Sequence, residues 1–185
     1  SKARSISSSG NAPKSRSMGG ELDARFKLDD HWSLRASAGY VDATYVEFTN
    51  ALATGSPGVI DVSGNQQQYI SKYTAAAGIG YTWNVGYDNL VGLVDVSYQY
   101  RSSFYFDVAN TLRQPGYGLV NARVGVENDR YAAYVWGQNL ADQRYRTTST
   151  DFGPGPLVAV GAPLMVGGTF KLKFSEPEVA MAKSR

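Results

Sequence analysis

The sequence predicts an all-β chain, an antiparallel up-and-down transmembrane β-barrel. Three observations carry that reading. Apolar and polar residues alternate along nearly every segment, the alternating runs are long, and the connections between them are short and long in turn. Successive side chains of an extended strand point to opposite faces, so each run has one apolar and one polar face. A tilted membrane strand needs roughly 9–11 residues, whereas globular strands centre on about 5–6.

Residues 1–17 are rich in Ser, Lys and Arg, with Gly10, Asn11 and Pro13 as turn punctuation. Ala3–Ser8 could form a short strand followed by a loop at Ser9–Ser17, but a solvated basic loop is the better reading of the stretch. Leu22, Ala24, Phe26 and Leu28 then alternate with Glu21, Asp23, Arg25, Lys27 and Asp29. A helix would scatter those charges around its circumference, so this is a strand. Asp29-Asp30-His31 turns the chain, and Trp32, Leu34, Ala36, Ala38 and Tyr40 alternate with Ser33, Arg35, Ser37 and Gly39, in a β-rich run that continues to Phe48. The two runs form a hairpin.

Thr49–Gln67, with Gly55, Pro57, Gly58, Gly64 and Asn65, reads as a long loop. Tyr69, Ser71, Tyr73, Ala75, Ala77, Ile79, Tyr81 and Trp83 share one parity of the next run, opposite Lys72, Thr74, Gly78, Gly80 and Thr82. After the turn at Asn84–Asn89, Leu90 to about Phe106 is a strand with Val94, Val96, Tyr98, Tyr100, Phe104 and Phe106 on one face and Asp95, Ser97, Gln99, Arg101 and Ser103 on the other. Asp107–Gly116 is a longer loop. Val120, Ala122, Val124 and Val126 alternate with Asn121, Arg123, Gly125 and Glu127 before a tight turn at Asn128-Asp129. Arg130–Leu140 has no clear facing pattern. Ala141–Pro163 is a long Gly/Pro/Thr-rich loop, and Leu164–Phe174 closes the series, its even residues apolar and its odd ones small or cationic.

Connections at 29–31, 84–89 and 128–129 are thus short, and those at 49–67, 107–116 and 141–163 are long. Outer-membrane barrels segregate their connections this way, with short turns on the periplasmic side and long loops outside. Trp32, Tyr40, Tyr69, Tyr81, Trp83, Tyr98, Tyr117, Phe104, Phe170 and Phe174 fall near strand ends, where interfacial aromatic girdles form. Arg25, Arg35, Lys72, Asp95, Arg101, Arg123 and Lys171 fall on the polar parity. On lipid each Arg or Lys would cost about 2–4 kcal/mol at mid-membrane, so that face must be wet or covered by protein, and so many charges suit a wide barrel.

The chain carries 20 Gly, 13 Tyr, 7 Phe, 3 Trp and no Cys, which excludes disulfides and thiolate metal sites. Mean hydropathy is −0.30, and no run approaches the roughly 18 apolar residues of a membrane helix, although a barrel averages to such a value. Net charge is only +2, so no nucleic-acid partner is expected. His31 is the only histidine and sits in a turn, with no Ser or carboxylate placed for a relay. No nucleophile-elbow, zinc-protease, P-loop or EF-hand pattern occurs, so no catalytic residue, metal ligand or cofactor is expected and an enzyme is not predicted.

Asn139-Leu140-Ala141-Asp142-Gln143-Arg144-Tyr145 resembles the Asn-Leu-x-Asp-x-x-Tyr segment preceding the last outer loop of TonB-dependent outer-membrane receptors, with Asn139, Leu140, Asp142 and Tyr145 as the matching positions. Asn11–Leu22 is similar to that family's Gly-x-Glu-Leu approach to a strand, Leu119–Val126 to its strand before the Asn-Leu segment, and Phe170, Leu172 and Phe174 to its terminal assembly signal. The family ends on that aromatic, whereas Ser175–Arg185 follow here.

The resemblance implies that residues 1–174 are the C-terminal portion of a barrel of roughly 22 strands, supplying seven or eight of them, with 175–185 as an extension. It also implies a bacterial outer-membrane location. The partners would be membrane lipid, the remaining strands and plug domain, the inner-membrane protein TonB, and a small-molecule ligand such as an iron chelate. Phe104, Tyr105, Phe106 and Arg113 near one outer loop, and Arg144, Arg146 and Asp151 near another, are candidates to face that ligand, because aromatics with Arg suit a flat anion. The alternative is a complete eight-stranded outer-membrane protein of structural or adhesive role, in which Ala3–Ser8 pairs with Leu164–Phe174.

Overall fold

The computed structural model describes residues 13–52, 58–151 and 155–174. These form thirteen strands: β1 (Lys14–Lys27), β2 (Trp32–Glu47), β3 (Ala51–Leu52), β4 (Val59–Ile60), β5 (Tyr73–Asn84), β6 (Val91–Arg101), β7 (Phe104–Tyr105), β8 (Arg113–Gln114), β9 (Tyr117–Glu127), β10 (Tyr131–Gln138), β11 (Arg146–Asp151), β12 (Pro156–Val160) and β13 (Met165–Leu172). The seven longer meander strands pair in the order β1-β2-β5-β6-β9-β10-β13, each with its neighbour in sequence and every pair antiparallel. The remaining strands form three small hairpins, β3–β4, β7–β8 and β11–β12, all at the end where the long connections lie.

Cross-strand register proves the facing pattern. Phe26 opposes Leu34, Leu34 opposes Ile79, Ile79 opposes Val96 and Val96 opposes Ala122, so one apolar row crosses five strands. Directly opposed residues share a face. Among the described residues no protein layer covers this face: Leu22 is 69% exposed and Val166 66%. Apolar surface of that extent is stable only against a non-aqueous neighbour. The other face carries Arg25, Arg35, Asp95, Arg123 and Glu127. Between Arg130 and Leu140, where the sequence is ambiguous, Ala133 and Val135 join the apolar rows while Tyr134 and Trp136 lie on the polar face.

The three short turns are made alike. The carboxylate of Asp29 accepts from the N–H groups of His31 (2.7 Å) and Trp32 (2.6 Å). Asn84 accepts from Gly86 (2.7 Å), and Asn128 from Arg130 and Tyr131 (2.9 Å each). Asn and Asp suit turns because the side chain mimics the backbone acceptor. His31 is more than a solvated turn residue: its Nδ1–H donates to the carbonyl of Thr82 (2.7 Å), tying the first turn to β5.

Several expectations need correction. Lys14–Ser17 belong to β1 rather than a loop, because β2 extends to Glu47 and offers partners there; Lys14 also pairs with Glu47 at 2.5 Å. The third long strand begins at Tyr73, since Tyr69 has a left-handed φ of 63° that ends regular pairing. The fourth ends at Arg101. Ser102 N–H donates to the Tyr73 carbonyl and its Oγ accepts from Tyr73 N–H, which turns the chain out of the sheet. Phe104 and Phe106 therefore do not continue the apolar face but pack with Tyr69 outside the sheet, and Tyr117 opposes Arg101 on the polar face, so Phe104, Tyr69 and Tyr117 are not girdle residues. The long connections are present as expected, and each includes one short hairpin. Ala3–Ser8 and Ser175–Arg185 lie outside the described residues.

Candidate functional site

The long-loop end is one interlocked body. The loop after β2 meets the loop after β6 through reciprocal bonds: Asn110 Oδ1 accepts from Gln66 N–H (2.9 Å), and Asn110 Nδ2 donates to the Gln66 carbonyl (2.9 Å). Asn65 Nδ2 donates to the Val108 carbonyl at 3.0 Å, and Tyr69 N–H to the Tyr105 carbonyl at 2.7 Å. Beneath these, Tyr69 lies edge-on to Phe106 (5.7 Å), which lies edge-on to Phe104 (5.1 Å), and the Arg101 guanidinium sits 4.1 Å over Phe104.

The last long loop locks onto the second. Arg146 N–H donates to Gln114 Oε1 (3.0 Å), its Nη2 donates to the Arg113 carbonyl (2.5 Å), and its guanidinium lies 5.7 Å from the Phe106 ring. Tyr145 stacks on Tyr117 with centroids 4.4 Å apart and planes 15° from parallel. Gly161 lies beneath the Tyr145 ring so closely that any Cβ there would overlap it.

Asn139 is the fastener of this assembly. Buried to 4% exposure and left-handed (φ 49°), it donates from Nδ2 to the carbonyls of Gln143 and Ala162 (3.0 Å each) and accepts from Gln143 N–H (2.9 Å). Its own N–H donates to Asn121 Oδ1 (3.0 Å). Asn tolerates left-handed backbone better than most residues. Leu140 N–H donates to the Val120 carbonyl, and Asp142 accepts from Leu164 N–H (3.1 Å). The four matching positions thus close the last loop onto β9 and β13.

Of the candidate ligand-facing residues, Phe104 and Phe106 are 2% and 4% exposed and form the interior of the loop cluster. Tyr105 and Arg146 are half-buried, Arg113 and Arg144 are exposed, and Asp151 is half-buried at the end of β11. Gln114, Gly116, Arg144, Tyr145, Arg146 and Val160 line a cleft between the second and third long loops. Phe170, Leu172 and Phe174 lie exposed on the free-edge strand or just beyond it.

The polar face has its own charge pattern, which the sequence parity foresaw but whose pairing it did not. Arg35 Nη1 and Nη2 bind Asp95 Oδ2 and Oδ1, each at 2.7 Å. The bridge crosses the intervening strand β5, where the guanidinium lies over Gly78; a Cβ at that position would collide with it. Further along, Tyr134 donates to Glu127 (2.5 Å), and Lys173 approaches Glu127 at 3.7 Å. Outside the sheet, the N–H groups of Trp32 and then His31 hold the Asp29 carboxyl below its ordinary range.

An uncovered apolar face, a charged opposite face and segregated connections define one arc of a large membrane β-barrel wall. A family model described as TonB dependent receptor-like, β-barrel matches residues 3–140, and the chain belongs to that family. Among solved structures it is similar to the ferric yersiniabactin uptake receptor FyuA from Yersinia pestis, with 22% identity, 89% of this chain and 24% of that chain covered, and a TM-score of 0.75. It is also similar to the siderophore receptor PiuA from Acinetobacter baumannii (22% identity, 87% and 22% covered, TM-score 0.66). A third is the ferric preacinetobactin receptor BauA from the same organism (19%, 85% and 22%, TM-score 0.60). At these identities the likeness is one of fold. The chain spans about a quarter of the length of those receptors.

Proposed function

We propose that this chain supplies the C-terminal strands and outer loops of an outer-membrane receptor that takes up an anionic nutrient, such as a ferric siderophore, with energy supplied through TonB. The cleft between the second and third outer loops is the observation that carries the ligand class. Arg144 and Arg146 line it with Tyr145, and Arg113 stands beside it. Guanidinium groups next to aromatic rings suit a flat anion, by paired hydrogen bonds and by stacking. Iron is cargo in this reading, and the chain needs no resident cofactor. The rest of the wall, a plug domain and the TonB contact would come from polypeptide outside this chain.

The test uses the full-length protein in outer membranes of iron-starved cells, with labelled ferric chelates of differing charge. TonB-dependent uptake of an anionic chelate is expected. Arg144→Ala, at an exposed side chain that holds no loop together, should weaken binding about tenfold, as loss of one charge-assisted contact does. TonB-independent uptake, or no uptake of any chelate, would overturn the proposal.

A further inference from the structure

The outward, apolar face carries an ion pair where its outer aromatic girdle ends. Asp42 shares that face with Tyr40, because Met18 opposes Asp42 just as Gly20 opposes Tyr40. Lys72 has the polar parity of its run, but it precedes β5, and its side chain reaches Asp42 with Nζ 3.1 Å from Oδ1. The other titratable groups facing that ammonium are Tyr40 and Tyr73, direct cross-strand partners with ring centroids 5.3 Å apart. Asp42 lies on β2 and Lys72 at the head of β5, with β1 and β6 on either side. No strand outside the chain adjoins the pair, and it faces away from the lumen.

The aromatic pairs fix its depth. At the short-turn end of the same two strands Trp32 opposes Tyr81, with ring centroids 4.6 Å apart. Trp32 to Tyr40 and Tyr73 to Tyr81 are eight residues each. That is about 27 Å along the strands, or about 20 Å of membrane depth at a tilt of about 40°. Asp42 stands two residues beyond Tyr40, where an apolar band of about 25 Å gives way to headgroups. A lysine stem lies along apolar surface and carries its ammonium to that level. The pair is not needed to join the strands, since the Val41 N–H already donates to the Lys72 carbonyl at 2.9 Å.

We propose that Lys72 and Asp42 form a lipid-headgroup site on the outward face, in which the ammonium binds the phosphate of an outer-leaflet lipid and Asp42 holds it at that depth. An ammonium has three N–H donors, so one can stay on Asp42 while the others meet phosphate oxygens in charge-assisted bonds. Below the ring pair the face drops to Ala38 beside Ala75 and Ala36 beside Ala77. Leu22 and Tyr100 flank the upper of these rows, which leaves depth between them for the lipid's acyl chain. The site depends on the membrane-facing wall and not on which nutrient is taken up.

Rotational-echo solid-state NMR between lysine side-chain nitrogen and lipid phosphorus tests it, on the full-length protein in phosphatidylglycerol vesicles. One lysine signal dephased by phosphorus should vanish in Lys72→Gln. Asp42→Asn keeps the ammonium but frees it from the wall, so the dephasing should weaken; undiminished dephasing there overturns the role of Asp42. Heat-shifted gel mobility confirms folding. If Lys72→Gln alone does not fold, the double variant Asp42→Asn with Lys72→Gln leaves no unpaired carboxylate and must lose the same signal. Vesicles of digalactosyl diacylglycerol, which has no phosphate, should give no dephasing when inorganic phosphate is added to the buffer. Dephasing there would mean that free phosphate binds rather than a lipid, and overturns the proposal. So does a wild-type protein with no lysine that vanishes on substitution at Lys72. A contact between Lys72 and a differently labelled second copy would make this face a protein interface and overturn it as well. Failure of the receptor reading looks different: the Lys72 signal is present, but no ferric chelate is taken up.

Discussion

Asn139 donates a side-chain hydrogen bond of 3.0 Å to the carbonyl of Ala162, 23 residues away, and so closes the last outer loop across its base. The same amide serves Gln143 twice, once as donor and once as acceptor. A buried amide with all three bonds made is stabilising, and leaving its partners unsatisfied costs more than the bonds contribute.

Asn139→Ala is therefore expected to destabilise the loop base by about 2–4 kcal/mol, from lost bonds and from a left-handed φ that alanine resists. The measurement is protease cleavage within residues 144–162 of the membrane-embedded full-length protein. Cleavage should accelerate there and stay unchanged in the first outer loop. An unchanged rate at both places would remove Asn139 from this role.

The stack of Tyr145 on Tyr117 makes a second expectation. Gly161→Ala puts a methyl group where the Tyr145 ring lies, so the ring must leave its stacked position. A cost of about 1–3 kcal/mol follows from overpacking. Because the two residues touch, Tyr145→Ala should relieve most of that cost, and the double variant should be less destabilised than the sum of the singles. Additive losses in urea unfolding would mean that the contact is not where the strain arises.

How far the sequence reveals this architecture depends on the distance over which each interaction acts. Alternation at Leu22–Leu28, Tyr73–Trp83 and Leu164–Leu172 is written in adjacent residues, and the strand facing follows from it directly. The break at Ser102 is not so written. Tyr98 and Tyr100 share a parity with Phe104 and Phe106, and nothing local shows that Ser102 bonds Tyr73 and diverts the chain. The Arg35–Asp95 bridge is likewise invisible, because it needs the register of three strands and a glycine between them. The Asn139 segment is recognisable as a string of letters, but its bonds to Asn121 and Ala162 require the fold.

The facing assignment can be tested by charge insertion. Val124→Arg places a guanidinium on the apolar face, between Val94 and Val135, where about 2–4 kcal/mol is lost near mid-membrane. Ser97→Arg places the same group on the polar face and should cost little. Ser97 is a better control than Gly125, which is packed under Tyr134 and has no room for a side chain. Folding yield into lipid vesicles reports the difference, and equal yields would invert or abolish the assignment.

The first short turn supplies a pH dependence with a definite sign. Asp29 has its carboxyl pulled below the ordinary 3.8, first by the N–H of Trp32 and then by that of His31. A group whose folded value is depressed contributes stability that is present above its unfolded value and lost as pH falls through the folded one. The turn should therefore hold at pH 5 and throughout the neutral range, and loosen only below about pH 3.8. Hydrogen exchange of the His31 and Trp32 amides tracks this directly, once the intrinsic pH dependence of exchange is divided out. In the wild type their protection should fall on acidification, while Asp29→Asn should show weaker protection with no step in that range. A protection step centred above pH 5, or one that persists in Asp29→Asn, would place the controlling group elsewhere.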